Sequence, residues 1–187
     1  DFSKPFRRVP IAQLVAEHLA MNDQDTKNLV AITSVEKALT VSLGHMAKEA
    51  MIAICLRELN HHEMNECLAF CFKDEYASEQ VDIEKASVRL AKELSKEELI
   101  QIGQTLDQAL SEERRRRLAL HLLYGVFDHE IESTLIQPTF ITDFSVSVSP
   151  LAKKRDGDPA VVDRFELMCA GMEIANSFSE LTDADDQ

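Results

Sequence analysis

The chain has 187 residues, 45% of them hydrophobic, with five glycines and a formal charge of −13. That is enough apolar chain for one proper core and a globular class, while the acidic balance excludes a non-specific nucleic-acid binder, whose phosphate contacts come from Lys and Arg. No apolar run approaches the ~20 residues that cross a bilayer, so no membrane segment is expected.

Past Pro5 and Pro10, "IAQLVAEHLA" predicts a short amphipathic helix with Ile11, Leu14, Val15, His18 and Leu19 on one stripe. The polar stretch "NDQDTKN" reads as a break. Thr33 and Glu36 have the spacing of a capping box, and behind them one long helix is expected to about Leu59, apolar nearly all round at "AMIAICL". Further helices are expected over 61–73, from Asp82, from a Ser95/Glu98 capping box, and from Ser111 through Leu120, Leu123, Phe127 and Ile131. Residues 20 to about 117 thus read as a helical bundle. After Pro138 the period changes: in "TFITDFSVSVSP", Phe144, Val146 and Val148 alternate with serines, the pattern of a strand with one buried face. "LAKKRDGDP" reads as a loop, and "RFELMCAGMEIANSFSEL" as two strands around a turn near Gly171. The fold class is therefore α+β, a mostly α-helical, bundle-like region attached to a partial antiparallel sheet.

Charge is unevenly spread. Residues 1–19 carry three basic and two acidic groups, 20–117 thirteen and eighteen, and 118–187 four and thirteen. A surface of that sign suits a cationic ligand or a divalent metal. Cys55, Cys67, Cys71 and Cys169 lack the spacing of a disulfide framework or a CxxC knuckle and read as buried free thiols. With "DFSKPFRRVP" lacking the apolar core of a secretion signal, they imply a cytoplasmic location. Glu58 and His61 have ExxH spacing, but a carboxylate-bridged di-iron site needs two such pairs, so ligation there is not expected.

The carboxylates around Gly171 invite a functional reading. If Met168–Gly171 form a four-residue loop, Glu166 and Glu173 lie opposite each other on paired strands, where like charges repel unless a divalent cation bridges them. The bland alternative is a pair of solvated acids on an exposed face. Asn176, Phe178 and Glu180 share one parity and so one face: an amide to orient a ligand, a ring to pack its stem, a carboxylate to neutralise an ammonium. Glu173 has the other parity, so a bulge or a strand start near Ile174–Ala175 is required if all of them line one pocket.

These residues resemble a known family. Residues 135–187, with "PTFI", "SPLAK", "RFEL" and "EIANSFSEL", resemble the stretch between motifs 2 and 3 of class II lysyl-tRNA synthetases, and "PFRR" at 5–8 resembles the segment after motif 2. No likeness is expected between. The resemblance implies a catalytic domain that joins lysine to ATP as lysyl-adenylate and passes lysyl to tRNA(Lys), as a homodimer. It implies that Glu166 and Glu173 hold Mg2+ at the ATP phosphates, and that Asn176, Phe178 and Glu180 line the lysine site, with the Glu facing the ε-ammonium. Met172 stands where the family usually has Arg or Lys, and Thr182, Asp183 and Ala184 where it usually has Asn-Asp-Pro. "ELTDA" also occurs in related ligases that lysylate elongation factor P, which generally lack "SPLAK".

Motifs 1, 2 and 3 are not in the sequence, so the chain is expected to be a piece of such an enzyme, monomeric and inactive alone. It divides into an N-terminal catalytic piece (1–19), a helical insertion (20–117) and a partial catalytic domain (118–187). In "SEERRRRLALHLL", Arg114, Arg115, Arg116 and Arg117 are candidate contacts to tRNA phosphates, which would make the insertion a binding module. The alternative for them is pairing with neighbouring acids.

Overall fold

In a computed structural model of the chain, the structure describes residues 5–60, 62–64 and 82–182. Strand β1 (Arg7–Pro10) runs directly into helix α1 (Ile11–His18). Helices α2 (Asp23–Val30), α3 (Val35–Ser42), α4 (Lys48–Glu58), α5 (Ile83–Glu93), α6 (Lys96–Ala109) and α7 (Glu112–Val126) follow. A π-helical turn (Phe127–Ile131) and a 3₁₀ turn (Glu132–Thr134) lead to β2 (Thr139–Thr142). Beyond it come β3 (Lys154–Arg155), β4 (Asp158–Val162), β5 (Arg164–Cys169) and β6 (Met172–Phe178).

The main sheet has the order β1-β2-β5-β6. β1 and β2 pair in parallel, Arg7 with Thr139 through Pro10 with Thr142, and β2–β5 and β5–β6 are antiparallel. The sheet is thus mixed rather than wholly antiparallel, within the expected α+β class. Parallel neighbours need a crossover connection, and here every described helix lies on the crossover from β1 to β2. The helical region is therefore held at both ends by adjacent strands. β3 and β4 form a separate two-stranded ribbon around Gly157 where a loop was expected.

Local signals explain most helix starts. Asp82, Ser95 and Ser111 cap α5, α6 and α7 as the spacing predicts, and Ser95 with Glu98 forms a reciprocal capping box. Three expectations fail for physical reasons. "NDQDTKN" is not a break: Asn22 accepts from the backbone N–H groups of Gln24 and Asp25 and starts α2, which buries only Leu29 and so shows no apolar period. The long helix to Leu59 is two helices, separated at Gly44, whose φ of +97° no helix continues. The cap of α3 is Ser34, not Thr33, reinforced from α6 by Asp107, which accepts from Val35 N–H (2.6 Å), Glu36 N–H (3.2 Å) and the Ser34 hydroxyl (2.7 Å). Helix α6 approaches α3 closely at Gly103, where a Cβ would stand 2.8 Å from the Glu36 Cα. The helix expected over 61–73 lies outside the described residues except at 62–64, which are helical.

One apolar core runs through α1, α3, α4, α6, α7 and the sheet, with Leu39, Met51, Leu118, Leu122, Phe127, Ile141 and Phe144 fully buried. Residue 117 falls inside α7, so the expected boundary between insertion and catalytic portion crosses a continuous helix. Among the described residues no helix is long and apolar enough to cross a membrane.

Candidate functional site

The site expected around Gly171 lies on the β5–β6 hairpin. Its loop has two residues, Ala170 and Gly171, both left-handed with φ of +55° and +71°, rather than the four expected. The tip docks on the chain before β2: the Ala170 N–H donates to Ile136 O and the Gly171 N–H to Leu135 O, each at 3.0 Å. A Cβ on Gly171 would stand 2.7 Å from Ser133 O. Gly171→Ala therefore combines an unfavourable φ with a backbone clash and is expected to cost about 1–3 kcal/mol; comparative urea unfolding of the two chains measures it.

The register is the central observation. Cys169 pairs with Met172 and Met168 with Glu173, but Leu167 pairs with Ala175 and Glu166 with Asn176, so Ile174 is an extra residue on β6. This β-bulge sits where the parity argument required one. Residues directly across a ladder share a face, and Arg164, Glu166 and Met168 alternate onto the same face of β5. Glu173, Asn176 and Phe178, their partners, consequently lie on that face too. Glu166 faces Asn176, not Glu173, across the ladder. Past β6 the chain stays extended, because Lys153 N–H donates to Ser179 O (2.7 Å) and Leu181 N–H to Leu151 O (3.0 Å), with Ala152 bridged to Glu180. The alternation thus carries on to Glu180, and "SPLAK" is seen to brace "SEL" through backbone hydrogen bonds.

The sequence expectation that Phe144–Val148 continue a strand does not hold. Asp143 has φ of +65° and ends β2, and Phe144 and Ser145 are both buried, so the alternation there does not mark one buried face. Phe144 instead lies under the Arg164 guanidinium, 4.5 Å from it. Arg164 also donates to Ser149 Oγ, to the Glu166 carboxylate and, from Nε, to Asn176 Oδ1 at 3.2 Å. Sequence reasoning passed over it, although its place two residues before Glu166 puts it on the same face.

Glu166 is 6% exposed. Burial raises its carboxyl above the ordinary range; Arg164 opposes this, and Glu173 and Glu132 add to the rise. Burial, Asp128 and Glu173 likewise raise Glu132. Burial and then Asp128, Glu166 and Glu132 push the Tyr124 hydroxyl up to about 12. Glu132 is thus a third acid, one that the sequence did not flag, brought to Glu166 and Glu173 by the 3₁₀ turn beside which the hairpin tip docks. Glu166, Glu173 and Glu132 are oxygen donors of the kind a divalent cation takes, although the three do not converge within 4.8 Å of one another. The opposite end of the face, from Asn176 to Glu180, is open: all seven residues of β6 are exposed.

The four arginines of α7 are brought to separate places. Arg114 forks onto Glu63 at 2.7 Å, holding that carboxyl down to about 2, and reaches Glu58 O. Arg115 donates to Asp107 O at 2.8 Å. Arg116 grips the Asp158 carboxylate of β4 and the Val30 and Ile32 carbonyls, and Arg117 donates to Glu58 Oε2 at 2.8 Å. Arg114, Arg116 and Arg117 are thus paired with carboxylates, and Arg115 is tied to a backbone carbonyl. Arg116→Ala strands Asp158 and two carbonyls and is expected to cost about 2–4 kcal/mol, read as a lowered urea midpoint.

Cys55 is a buried free thiol and Cys169 a half-buried one; His61, Cys67 and Cys71 lie outside the described residues.

A helical crossover on a mixed sheet carries a bulged hairpin that gathers acids, an amide and an aromatic ring. The model of class II tRNA synthetases (D, K and N) matches residues 1–187, and the chain belongs to that family. Among curated proteins, the lysine–tRNA ligase of Synechococcus sp. (strain CC9605) is 32% identical over 183 residues, 97% of this chain and 32% of its own length. The lysine–tRNA ligases of Campylobacter hominis and Aeromonas hydrophila are 57% identical over 67 residues and 43% over 90, covering 36% and 44% of this chain and 13% and 18% of their own lengths. The chain therefore spans about a third or less of the relatives it matches. The Synechococcus alignment runs through the helical region, which corrects the expectation that likeness is absent there.

Proposed function

We propose that this chain is the middle of the catalytic domain of a lysine–tRNA ligase, which activates L-lysine with ATP and Mg2+ and transfers lysyl to tRNA(Lys), working in the cytoplasm as a homodimer. The observation that carries the reading is the Ile174 bulge, because it alone lets Glu173, Asn176 and Phe178 share the face of Glu166. Glu166 and Glu173 would hold Mg2+, with Glu132 beside them; the bound ion would offset charge on the ATP phosphates.

Each protein group has a separable task. Arg164 fixes the Glu166 carboxylate and the Asn176 amide, so that both meet their ligands already oriented. Asn176 orients the amino acid, Phe178 packs against its methylene stem, and Glu180 neutralises the ε-ammonium. Adenylation then depends on placing the lysine carboxylate against phosphorus rather than on a general base. We read 20–117 as a helical insertion bounded by catalytic segments 1–19 and 118–187, and Arg114–Arg117 as its internal ties rather than as tRNA contacts.

The test is ATP–pyrophosphate exchange by the full-length protein. Exchange that requires lysine and Mg2+, and that norleucine fails to support, is expected. Equal exchange with norleucine would remove the ammonium-binding role from Glu180. The chain alone, a third or less of its relatives' length, is expected to show no exchange.

A further inference from the structure

We propose that His18, His45 and Glu130 form a site for one divalent cation of the Zn2+ or Co2+ class, remote in chemistry from the all-carboxylate set on the sheet. Among the described residues they are the one group of three His, Cys, Asp or Glu side chains with donor atoms all within 4.8 Å of one another. His18 Nε2 and His45 Nδ1 each stand 2.9 Å from the same oxygen, Glu130 Oε2. Ligands around a tetrahedral ion with bonds of about 2.0–2.2 Å stand roughly 3.3 Å apart, so the two N···O separations need to widen by only about 0.4 Å, while the two imidazole nitrogens already lie within 4.8 Å of each other.

Three different pieces of backbone converge to make the set, and each is held independently. His18 is the last residue of α1. His45 follows Gly44 in the break between α3 and α4, where its N–H donates to Ser42 O at 3.0 Å. Glu130 lies in the π-helical turn, whose extra residue per turn resets the phase of the chain after α7; such turns recur at functional sites. The first and third of these pieces flank the sheet strands β1 and β2, and the second belongs to the helical region. A bound ion would therefore clamp the helical region to both of its roots.

The donor set dictates the metal. Two imidazoles and one carboxylate suit Zn2+, Co2+ and Ni2+, and leave a position for water or a further ligand. Mg2+ prefers oxygen and keeps its waters, so it is expected to favour Glu166 and Glu173 instead. The two imidazoles otherwise simply share a carboxylate as surface hydrogen-bond donors, since His18, His45 and Glu130 side chains are 37%, 30% and 27% exposed.

Cobalt titration of the purified chain in excess Mg2+ separates these cases. One equivalent of Co2+ is expected to bind with a visible absorption band of tetrahedral ligation. The affinity is expected to fall by about 100-fold or more in His18→Ala and in His45→Ala, and to stay unchanged in Glu166→Gln. Both histidines are partly exposed, so circular dichroism should show the fold intact; Glu130→Gln supplies the same reading if one of them fails to fold. Absence of a saturable band, or a band that survives both histidine substitutions, overturns the proposal and leaves the cluster as hydrogen-bonded side chains.

Discussion

Glu180→Gln in the full-length enzyme is expected to raise the KM for lysine by about 100-fold or more, with the KM for ATP within about twofold of the unsubstituted enzyme. The size of the effect follows from where the carboxylate must work. In this chain Glu180 and the whole of β6 are exposed, and an ion pair in open solvent contributes only about 0–1 kcal/mol. A ligand ammonium held there in water would therefore change affinity by fivefold or less. A 100-fold change corresponds to roughly 2.7 kcal/mol, which an ammonium–carboxylate pair yields only when both charges are shielded from water. The substitution thus reports two things together: that Glu180 meets the ammonium, and that this face of β6 is covered in the working enzyme. Discrimination between lysine and norleucine should fall in parallel, because norleucine has no ε-ammonium and so loses nothing when Glu180 loses its charge. Glu173→Gln serves as the control: it should shift the Mg2+ dependence and leave lysine discrimination intact. Unchanged lysine KM in Glu180→Gln would refute the assignment of the ammonium contact.

The sequence made the local features of the fold legible and hid those set over long range. Asp82, Ser95 and Ser111 were readable because a cap is decided within four residues. The cap of α3 was misplaced by one position because Asp107, some seventy residues away, supplies two of its bonds. β1 left no mark of its own: four residues with one buried position become a strand only by pairing with β2 far along the chain. The candidate site was legible to the extent that parity could be counted. Counting showed that Glu173 and Asn176 could face one side only through a bulge, and the register supplies it at Ile174. Glu132 stayed hidden because nothing in a helical stretch announces that a hairpin tip nearly forty residues later will dock beside it.

The second large effect is expected at Glu58, the buried last residue of α4. Its carboxylate accepts from Arg117 Nε at 2.8 Å and from the Ser147 hydroxyl, and His121 Nδ1 lies 3.8 Å away. These partners come from α7 and from the turn after β2, so the group joins the helical region to the sheet side of the molecule. Burial by itself would raise this carboxyl, but His121, Ser147 and Arg117 outweigh it and hold it below the ordinary range. A carboxyl whose folded value is depressed adds stability that is present above its unfolded value, about 4.3, and is lost as pH falls through the lower folded value. Glu58→Gln keeps the shape, removes the charge and leaves Arg117 half-buried without its counter-ion. A loss of about 3–5 kcal/mol at pH 7 is expected, a large part of the 5–15 kcal/mol typical of a domain. Urea unfolding at neutral pH and through a descending acid series measures it: the gap between the two proteins should be wide at neutral pH, begin to narrow below about pH 4.3 and close only once pH has passed the depressed folded value. A gap that does not narrow in acid would assign the loss to packing rather than to charge, and no gap at pH 7 would remove Glu58 from the joint between helices and sheet.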